Sequence, residues 1–233
     1  MKRRVRVWDG PVRIFHWLLV LLLVAAYLSH EFDAMVWHER VGLAILGLVV
    51  FRLAWGLVGS RHARFSNFVR GPSAAFAYLH GEWRGIGPNP LGGWSVLLLL
   101  LVPLGMAATG LFANDDVVFK GPLADWISKE ASDRLTSVHH FGFNLLLVLV
   151  GLHLAAIVYY RLARRENLGK PMITGYKEVE PALEETPPPA SRFFGRLPAL
   201  VLALAVAGLV VWGVLQAVPP APPPVPVEDL PDW

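Results

Sequence analysis

The stretch "HHFGFNLLLVLVGLH", residues 139–153, is almost wholly apolar but has histidines at both ends. An ionisable side chain within a membrane-length apolar segment is costly, so such a residue is a candidate for function. At 100° per residue, His139 and His153 are about 40° apart around a helix, whereas His140 and His153 are about 140° apart. The spacing therefore predicts that His139 and His153 share one helix face, about 21 Å apart along the axis.

The rest of the chain is also apolar enough to belong in a lipid bilayer. Of its 233 residues, 55% are hydrophobic, and its mean hydropathy is +0.48. A helix needs about 20 apolar residues to cross a membrane. Five stretches approach or exceed that length, at residues 12–29, 36–58, 91–112, 138–162 and 197–218. We predict an all-α integral membrane protein.

Charged residues indicate how these spans are oriented. Basic residues precede the first span, separate the second from the third and follow the fourth, whereas residues 29–39 and 113–134 are acid-rich or balanced. The positive-inside rule then places the N-terminus in the cytoplasm and, after five spans, the C-terminus outside.

The basic start before an apolar run also fits a signal peptide, but we expect no cleavage because the run is long and no A-x-A site follows. We interpret the basic clusters as signals that set the orientation of the spans. Binding of anionic lipids is the second interpretation, and we expect no role in nucleic-acid binding.

Composition divides the chain into four parts. Residues 1–177 carry four spans with short connections, which predicts an antiparallel four-helix unit. Residues 178–196 form a charged linker with a proline run, 197–218 a fifth transmembrane helix, and 219–233 a Pro-rich tail. Between the second and third spans, a short interfacial helix is expected at residues 73–80. The predicted architecture is therefore a four-helix transmembrane bundle plus an appended fifth span.

Four histidines fall at matching depths in this topology. His16 lies near the inner end of the first span, level with His153, and His38 opens the second span on the outer side, level with His139. Zinc normally takes three or four protein ligands, and the chain has no cysteine. The iron of a b-type haem instead takes two axial imidazoles inside an apolar pocket. We predict two haems, an inner one between His16 and His153 and an outer one between His38 and His139. Filled axial positions favour electron transfer over oxygen chemistry.

Several sequence blocks carry a family resemblance. They are "FHW" (15–17), "WHERVGLAILGLVVFRLAWGLVGSRHARFSNFVRGP" (37–72), "NPLGGW" (89–94), "TGLF" (109–112) and "HHFGFNLLLVLVGLH". Over about residues 6–177 the chain resembles the prokaryotic di-haem cytochrome b561 family, which includes the cytochrome b subunits of nickel–iron hydrogenases. The resemblance implies a four-helix bundle with two b haems, located in the bacterial inner membrane, and its ligands fall on the same four histidines.

Two positions depart from the family pattern. Related sequences commonly have a histidine before "NP", where this chain has Pro88, and often an acidic residue where it has His140. The first departure puts in doubt any quinone or propionate role of that loop, and the second alters the surroundings of the outer haem. His140 could instead contact the ligand of the outer haem or have a proton-linked role. No ligand role is assigned to His30, His62, His80 or His140.

Arginines near the histidines are candidates for haem propionates. Arg52 follows His38 by 14 residues, on nearly the same face but toward the inside, where it would either pair with an inner propionate or snorkel to the interface. Arg13 and Arg40, each close to a proposed ligand, are further candidates. Most of the six tryptophans near span ends are expected in the interfacial belt and not in an electron pathway; they are Trp8, Trp17, Trp37, Trp55, Trp94 and Trp126. Six glycines would allow close approach of helices or porphyrin, at Gly42, Gly47, Gly105, Gly110, Gly142 and Gly151.

The resemblance implies a membrane subunit that transfers electrons between quinone or quinol and a redox partner on the outer side. That partner would be a redox enzyme subunit or a c-type cytochrome, and no catalytic residues are assigned. Whether the subunit is itself a quinone-reactive enzyme, and whether it forms a homo-oligomer, stay open. The alternative is a membrane anchor or assembly subunit with structural histidines. A transporter or proton channel is disfavoured because the first four spans have no obvious acidic residue at mid-membrane depth.

Overall fold

The computed structural model of the chain describes residues 3–61, 63–80, 90–117, 119–179 and 196–220. The helices in this part of the chain are α1 (Gly10–Glu31), α2 (Met35–Val58), α3 (Phe65–Phe68), α4 (Pro72–Leu79), α5 (Pro90–Gly110), α6 (Lys129–Leu162), α7 (Gly169–Thr174) and α8 (Leu197–Gln216). Five of them, α1, α2, α5, α6 and α8, are long and apolar enough to cross a membrane. This confirms the predicted class, an all-α integral membrane protein.

Local capping explains where two of the spans begin. Asp9 caps α1, its Oδ1 accepting a hydrogen bond from the Val12 amide at 2.9 Å. Ser128 caps α6 in the same way, its Oγ accepting from the Ala131 amide at 3.3 Å. Because of this second cap, α6 starts at Lys129, nine residues before the predicted span at residue 138. Its first two turns are charged and extend beyond the apolar segment.

The second helix is the centre of the bundle. Helices α1, α5 and α8 all pack against α2, and α6 packs against α5. Val49 and Trp55 of α2 are 0% and 2% exposed, and Phe15 of α1 is buried beside them. Helices α1 and α6 do not pack closely along their backbones; between them the rings of Tyr27 and Phe143 stack with centroids 6.0 Å apart. The four-helix unit therefore leaves a gap between α1 and α6.

The fifth span lies against the bundle. Ala203 and Ala207 of α8 are buried in the core around α2. A Cβ added at Gly47 of α2 would approach Val211 Cγ2 to 2.9 Å, so glycine at this position permits the close contact. At the far end, the Trp126 indole Nε1 donates to the Ala217 carbonyl at 2.9 Å. The chain division at residue 177 stays a prediction, and most of the linker and tail, residues 180–195 and 221–233, lie outside the described residues.

The sequence did not suggest a sheet, but two short strands pair near the first helix. Strand β1 (Arg3–Arg6) runs antiparallel to β2 (Tyr176–Val179), with Arg6 opposite Tyr176. The strands join the N-terminus to the segment after α6. We call this end of the bundle, where α1 and α8 begin and α2 and α6 end, the basic end. Its exposed arginines include Arg61, Arg64, Arg70, Arg161, Arg164 and Arg165.

The opposite end, called here the acidic end, holds the turn after α1 and the loop between α5 and α6. Its acidic residues include Glu31, Asp33, Asp115, Asp116, Asp125 and Glu130.

At the basic end, the predicted short helix at residues 73–80 is confirmed as α4, and its Tyr78 hydroxyl hydrogen-bonds to the Tyr160 hydroxyl of α6. Pro88, the first departure from the family pattern, lies outside the described residues.

A close contact at Gly56 gives a test of the packing. A Cβ at this position would lie 2.1 Å from the Phe65 ring, which also lies under the Arg52 guanidinium. We expect Gly56→Ala to lower the free energy of unfolding by about 1–3 kcal/mol, because overpacking forces the ring to move. Thermal unfolding of the detergent-purified protein measures the effect. Gly208→Ala in α8 is the control, since a Cβ there meets nothing within 4 Å; equal midpoints for the two variants would contradict the packing described.

Candidate functional site

Two of the four predicted histidines meet at the acidic end. The rings of His38 in α2 and His139 in α6 have centroids 6.1 Å apart, with an angle of 74° between their planes. Both side chains are half-buried. Two imidazoles that bind one metal from opposite sides, each with a metal–nitrogen bond of about 2 Å, have ring centres about 6 Å apart. The separation of His38 and His139 matches that requirement.

Backbone carbonyls orient both of these rings. The His38 Nδ1–H donates to the Ala26 carbonyl at 2.9 Å, and the His139 Nδ1–H donates to the Met106 carbonyl at 2.8 Å. Because a carbonyl only accepts, Nδ1 must hold the proton in each ring, and the lone pair is left on Nε2. Histidines that bind metals are commonly held in this way, with the second nitrogen donating to a carbonyl or carboxylate.

Glycines allow the helices to approach around His139. A Cβ at Gly110 of α5 would lie 3.2 Å from the His139 Cε1 atom, and one at Gly142 of α6 would lie 2.7 Å from Met106 Cγ. Gly42, one turn after His38, differs: it is half-buried, yet an added Cβ meets no atom within 4 Å. The predicted close helix approach therefore holds at Gly47, Gly110 and Gly142, whereas Gly42, Gly105 and Gly151 border open space.

The other two predicted histidines lie toward the basic end. His16 in α1 and His153 in α6 are close enough to interact electrostatically. The His16 ring meets the Trp17 ring edge-on, with centroids 5.0 Å apart. Unlike the rings at the acidic end, His16 has no hydrogen-bond partner at its buried Nδ1 atom. The acidic-end pair is thus defined by a ring contact, whereas His16 and His153 are associated only by their electrostatic interaction.

Two of the candidate arginines share this lack of a partner. In the described residues, buried side-chain nitrogens or oxygens with no hydrogen-bond partner occur at three positions: Arg13 Nε, His16 Nδ1 and Arg52 Nη1. All three residues are near the basic end, and all three were candidates from the sequence. Buried polar atoms are nearly always satisfied, so unpartnered ones point to a group that is not protein. A haem with its propionates would supply both the metal and the missing acceptors.

The three arginines differ in their surroundings. Arg52 is only 2% exposed, with its guanidinium 4.8 Å from the centre of the Phe65 ring, so snorkelling to the interface is wrong. The Arg13 Nη2 donates to the Ile173 carbonyl. Arg40 is exposed at the acidic end, where its guanidinium lies 5.1 Å from the centre of the Trp37 ring. A buried guanidinium whose Nη1 has no hydrogen-bond partner among the described residues favours Arg52 as a carboxylate partner.

Sequence reasoning missed Asp9, a buried acid at the basic end. Besides capping α1, its Oδ2 accepts from the Trp55 indole Nε1 at 3.0 Å, and it interacts electrostatically with Arg52. The signal was present as Asp-Gly-Pro, an N-cap residue followed by a proline in the first helical turn. Trp55 is therefore a core residue, and its predicted place in the interfacial belt is wrong.

Two further imidazoles surround the acidic-end pair. The His30 ring lies 5.8 Å from the His38 ring and 6.5 Å from the His140 ring, measured between centroids. His30 belongs to the last turn of α1. In the described residues no group of three or more His, Asp or Glu side chains could hold a metal ion. The histidine pairs therefore suit a metal that brings further ligands of its own.

Five membrane-length helices and paired intramembrane histidines define a multi-pass membrane protein of the haem-binding type. Residues 7–175 match the family described as prokaryotic cytochrome b561. Because this match covers well over half of the chain, the chain belongs to that family. It is therefore a transmembrane b-type cytochrome that transfers electrons through haem.

Individual relatives agree with the family. The chain is 24% identical over 212 residues to a probable Ni/Fe-hydrogenase B-type cytochrome subunit of Rhizobium leguminosarum bv. viciae. This alignment covers 75% of this chain and 89% of the relative. A protein of the same name from Rhodobacter capsulatus is 22% identical over 214 residues, covering 74% and 81% respectively. No solved structure matches the chain significantly.

Proposed function

We propose that this cytochrome binds two b-type haems and transfers electrons across the membrane between the quinone pool and a partner redox enzyme. The observation that carries the proposal is the pairing of two α6 histidines, each with a histidine of another helix, toward opposite ends of the bundle. Along α6 the two ligand positions are about 21 Å apart, a large part of the roughly 30 Å hydrocarbon thickness. Haem iron, when bound, supplies the one-electron change.

At the acidic end, hydrogen bonds to backbone carbonyls orient the two proposed ligands. The carbonyls of Ala26 and Met106 fix both imidazoles in the tautomer that offers Nε2. When haem is bound, His38 and His139 would hold its iron from both sides and leave no site for an exchangeable ligand such as oxygen. His38 and His139 would therefore support electron transfer without oxygen chemistry.

At the basic end, His16 and His153 would be the ligands, and the arginines would bind carboxylates. Arg52 is buried, and its carboxylate neighbour Asp9 makes no ion pair with it within 4 Å in the described residues. A propionate accepting from Arg52 Nη1 would both satisfy that nitrogen and compensate the charge. Arg13 is the second candidate on this side, and Arg40 stays a candidate for the haem at the acidic end.

A groove on α1 beside His16 is a candidate quinone site. It has a volume of about 470 Å³, and its lining residues are Gly10, Arg13, Ile14, Trp17, Leu18 and Leu21. Apart from Arg13 at its basic end, this lining is apolar, as the isoprenoid tail of a quinone requires. Arg13 would then donate to a quinone oxygen and Trp17, whose ring contacts His16, would lie between the groove and the ligand.

The relatives suggest the second partner. Their names associate them with a nickel–iron hydrogenase, so a redox enzyme of that type is the candidate partner for this chain. With the basic end in the cytoplasm, as the positive-inside rule requires, the enzyme would contact the acidic end on the periplasmic side of a bacterial inner membrane. In this orientation the N-terminus is cytoplasmic and the C-terminus periplasmic.

Haem content and quinol reduction test the proposal. We expect two haem b per chain in a pyridine haemochrome assay, and reduction of both by a short-chain quinol. Leu18→Trp, which fills the groove, should slow reduction by quinol at least tenfold but leave reduction by dithionite unchanged. Leu209→Trp, on the exposed face of α8, is the matched control. A colourless protein would refute the haem assignment and favour the membrane-anchor alternative, whereas equal quinol rates for both variants would refute the groove.

A further inference from the structure

A second cavity lies at the basic end, between the end of α2 and the start of α8. Its volume is about 580 Å³, and it opens toward the surroundings of the bundle. The residues that line it are Val58, Gly59, Arg61, Arg64, Arg196 and Ala199, together with Asn67. None of these residues belongs to the histidine pairs or to the groove on α1.

Three arginines line this cavity. Arg61 and Arg64 come from the loop after α2, and Arg196 caps α8. Within the described parts of the chain, no carboxylate lies within 4 Å of any of the three. Like charges placed together repel, so an anion bound between them would reduce that repulsion.

Hydrogen bonds hold the loop that presents two of these arginines. The Arg64 Nε donates to the Gly59 carbonyl at 2.9 Å, and the Asn67 Nδ2 donates to the Arg61 carbonyl at 2.5 Å. These two bonds restrict the loop near Arg61 and Arg64, which both line the cavity.

The neighbourhood of the cavity is apolar on the membrane side. Leu57 of α2 is 71% exposed, and Leu197 and Val201 of α8 are 47% and 57% exposed. The cavity thus lies where two spans leave the bilayer, with arginines at headgroup level and exposed apolar side chains beside it. Basic pockets between transmembrane helices are typical binding sites for anionic lipid headgroups.

We propose that this cavity binds the phosphate headgroup of an anionic phospholipid, with Arg61, Arg64 and Arg196 donating to its oxygens. The acyl chains lie along the exposed apolar side chains of α2 and α8. The cavity is lined in part by Arg196 and Ala199, at the start of the fifth helix, so the site depends on that helix. This helix lies outside the family match at residues 7–175. The bound lipid bridges α2 and α8 at the basic end, where Arg196 begins α8.

Lipid retention by the full-length haem-loaded protein tests this site. The protein is reconstituted in phosphatidylcholine vesicles containing cardiolipin as a minor component, then extracted in mild detergent, and retained lipid is counted by native mass spectrometry. We expect the wild type to retain one cardiolipin and Arg61→Gln/Arg196→Gln to retain about tenfold less or lower, because two of the three charges are lost. The matched control is Arg161→Gln/Arg164→Gln, two exposed arginines of the same end that do not line the cavity.

Three outcomes would overturn the proposal. The first is equal cardiolipin retention by the two double variants, which would mean that the cavity arginines are not needed. The second is equal retention of phosphatidylcholine by the wild type, which would mean that no anionic group is recognised. The third is displacement of cardiolipin by inorganic phosphate at low millimolar concentration, which would indicate a site for small anions. An unchanged visible spectrum in all variants verifies that the bundle is folded.

Discussion

Replacing His139 by Ala is expected to reduce the haem content of the purified protein from two per chain to one. The change removes one of the two histidines proposed to bind the haem at the acidic end, since the His139 ring lies 6.1 Å from that of His38. A single remaining imidazole binds iron less tightly and leaves an open position, so this haem is lost on purification or changes to a high-spin spectrum. The pyridine haemochrome assay and the reduced-minus-oxidised spectrum measure both effects.

Double variants test how the histidines are paired. His38→Ala/His139→Ala should still retain one haem, because both changes affect the same site. His139→Ala/His153→Ala should retain none, because each change affects a different one. His80→Ala is the control, since this histidine is exposed after α4 and hydrogen-bonds the Phe76 carbonyl of its own helix. If the first double variant lost both haems while the second kept one, the pairing proposed here would be wrong.

Replacing Asp9 by Ala is expected to lower the free energy of unfolding by about 2–4 kcal/mol. The change removes the cap of α1, which contributes about 1 kcal/mol, and leaves the buried Trp55 indole N–H unsatisfied, which costs about 1–3 kcal/mol. It also removes the acid that interacts with Arg52. Denaturation of the detergent-solubilised protein, followed by loss of haem absorbance, measures the change.

Conservative changes separate these contributions. Asp9→Asn keeps an oxygen for the Val12 amide, so it should destabilise less than Asp9→Ala. Combining Asp9→Ala with Trp55→Phe should cost less than the sum of the two single changes, because they remove the same hydrogen bond. Asp125→Ala, at an exposed ion pair with Lys120, should stay within about 0.5 kcal/mol of wild type. Full additivity of the Asp9 and Trp55 changes would contradict the bond between them.

The sequence was sufficient for the parts of the fold that depend on local properties. Each membrane span is a continuous apolar run, and the length a bilayer demands leaves little freedom in its placement. The common face of His139 and His153 follows from helical periodicity alone. Pairing each of them with a histidine of another helix needed only the order and direction of the spans, which is why His16 and His38 were identified as well.

Contacts between distant parts of the chain were not predictable in this way. The hydrogen bond from Trp55 to Asp9 joins residues 46 positions apart, and the tryptophan by itself fits an interfacial position equally well. The sheet pairs four-residue strands that are too short and too charged to show a strand pattern. His30 became a neighbour of His38 only because α1 continues to Glu31, two residues beyond the apolar stretch. Such features depend on tertiary packing, which a single sequence does not show.

The pairing of β1 with β2 has a consequence for biosynthesis. Residues 3–6 leave the ribosome first, but their partner strand at residues 176–179 is synthesised about 170 residues later. At translation rates of about 5–20 residues per second, the first strand waits about 10–30 s for its partner. The sheet can close only after the sixth helix has been inserted and its end has returned to the side where the chain began. Its formation therefore marks the completion of membrane insertion of the first four spans.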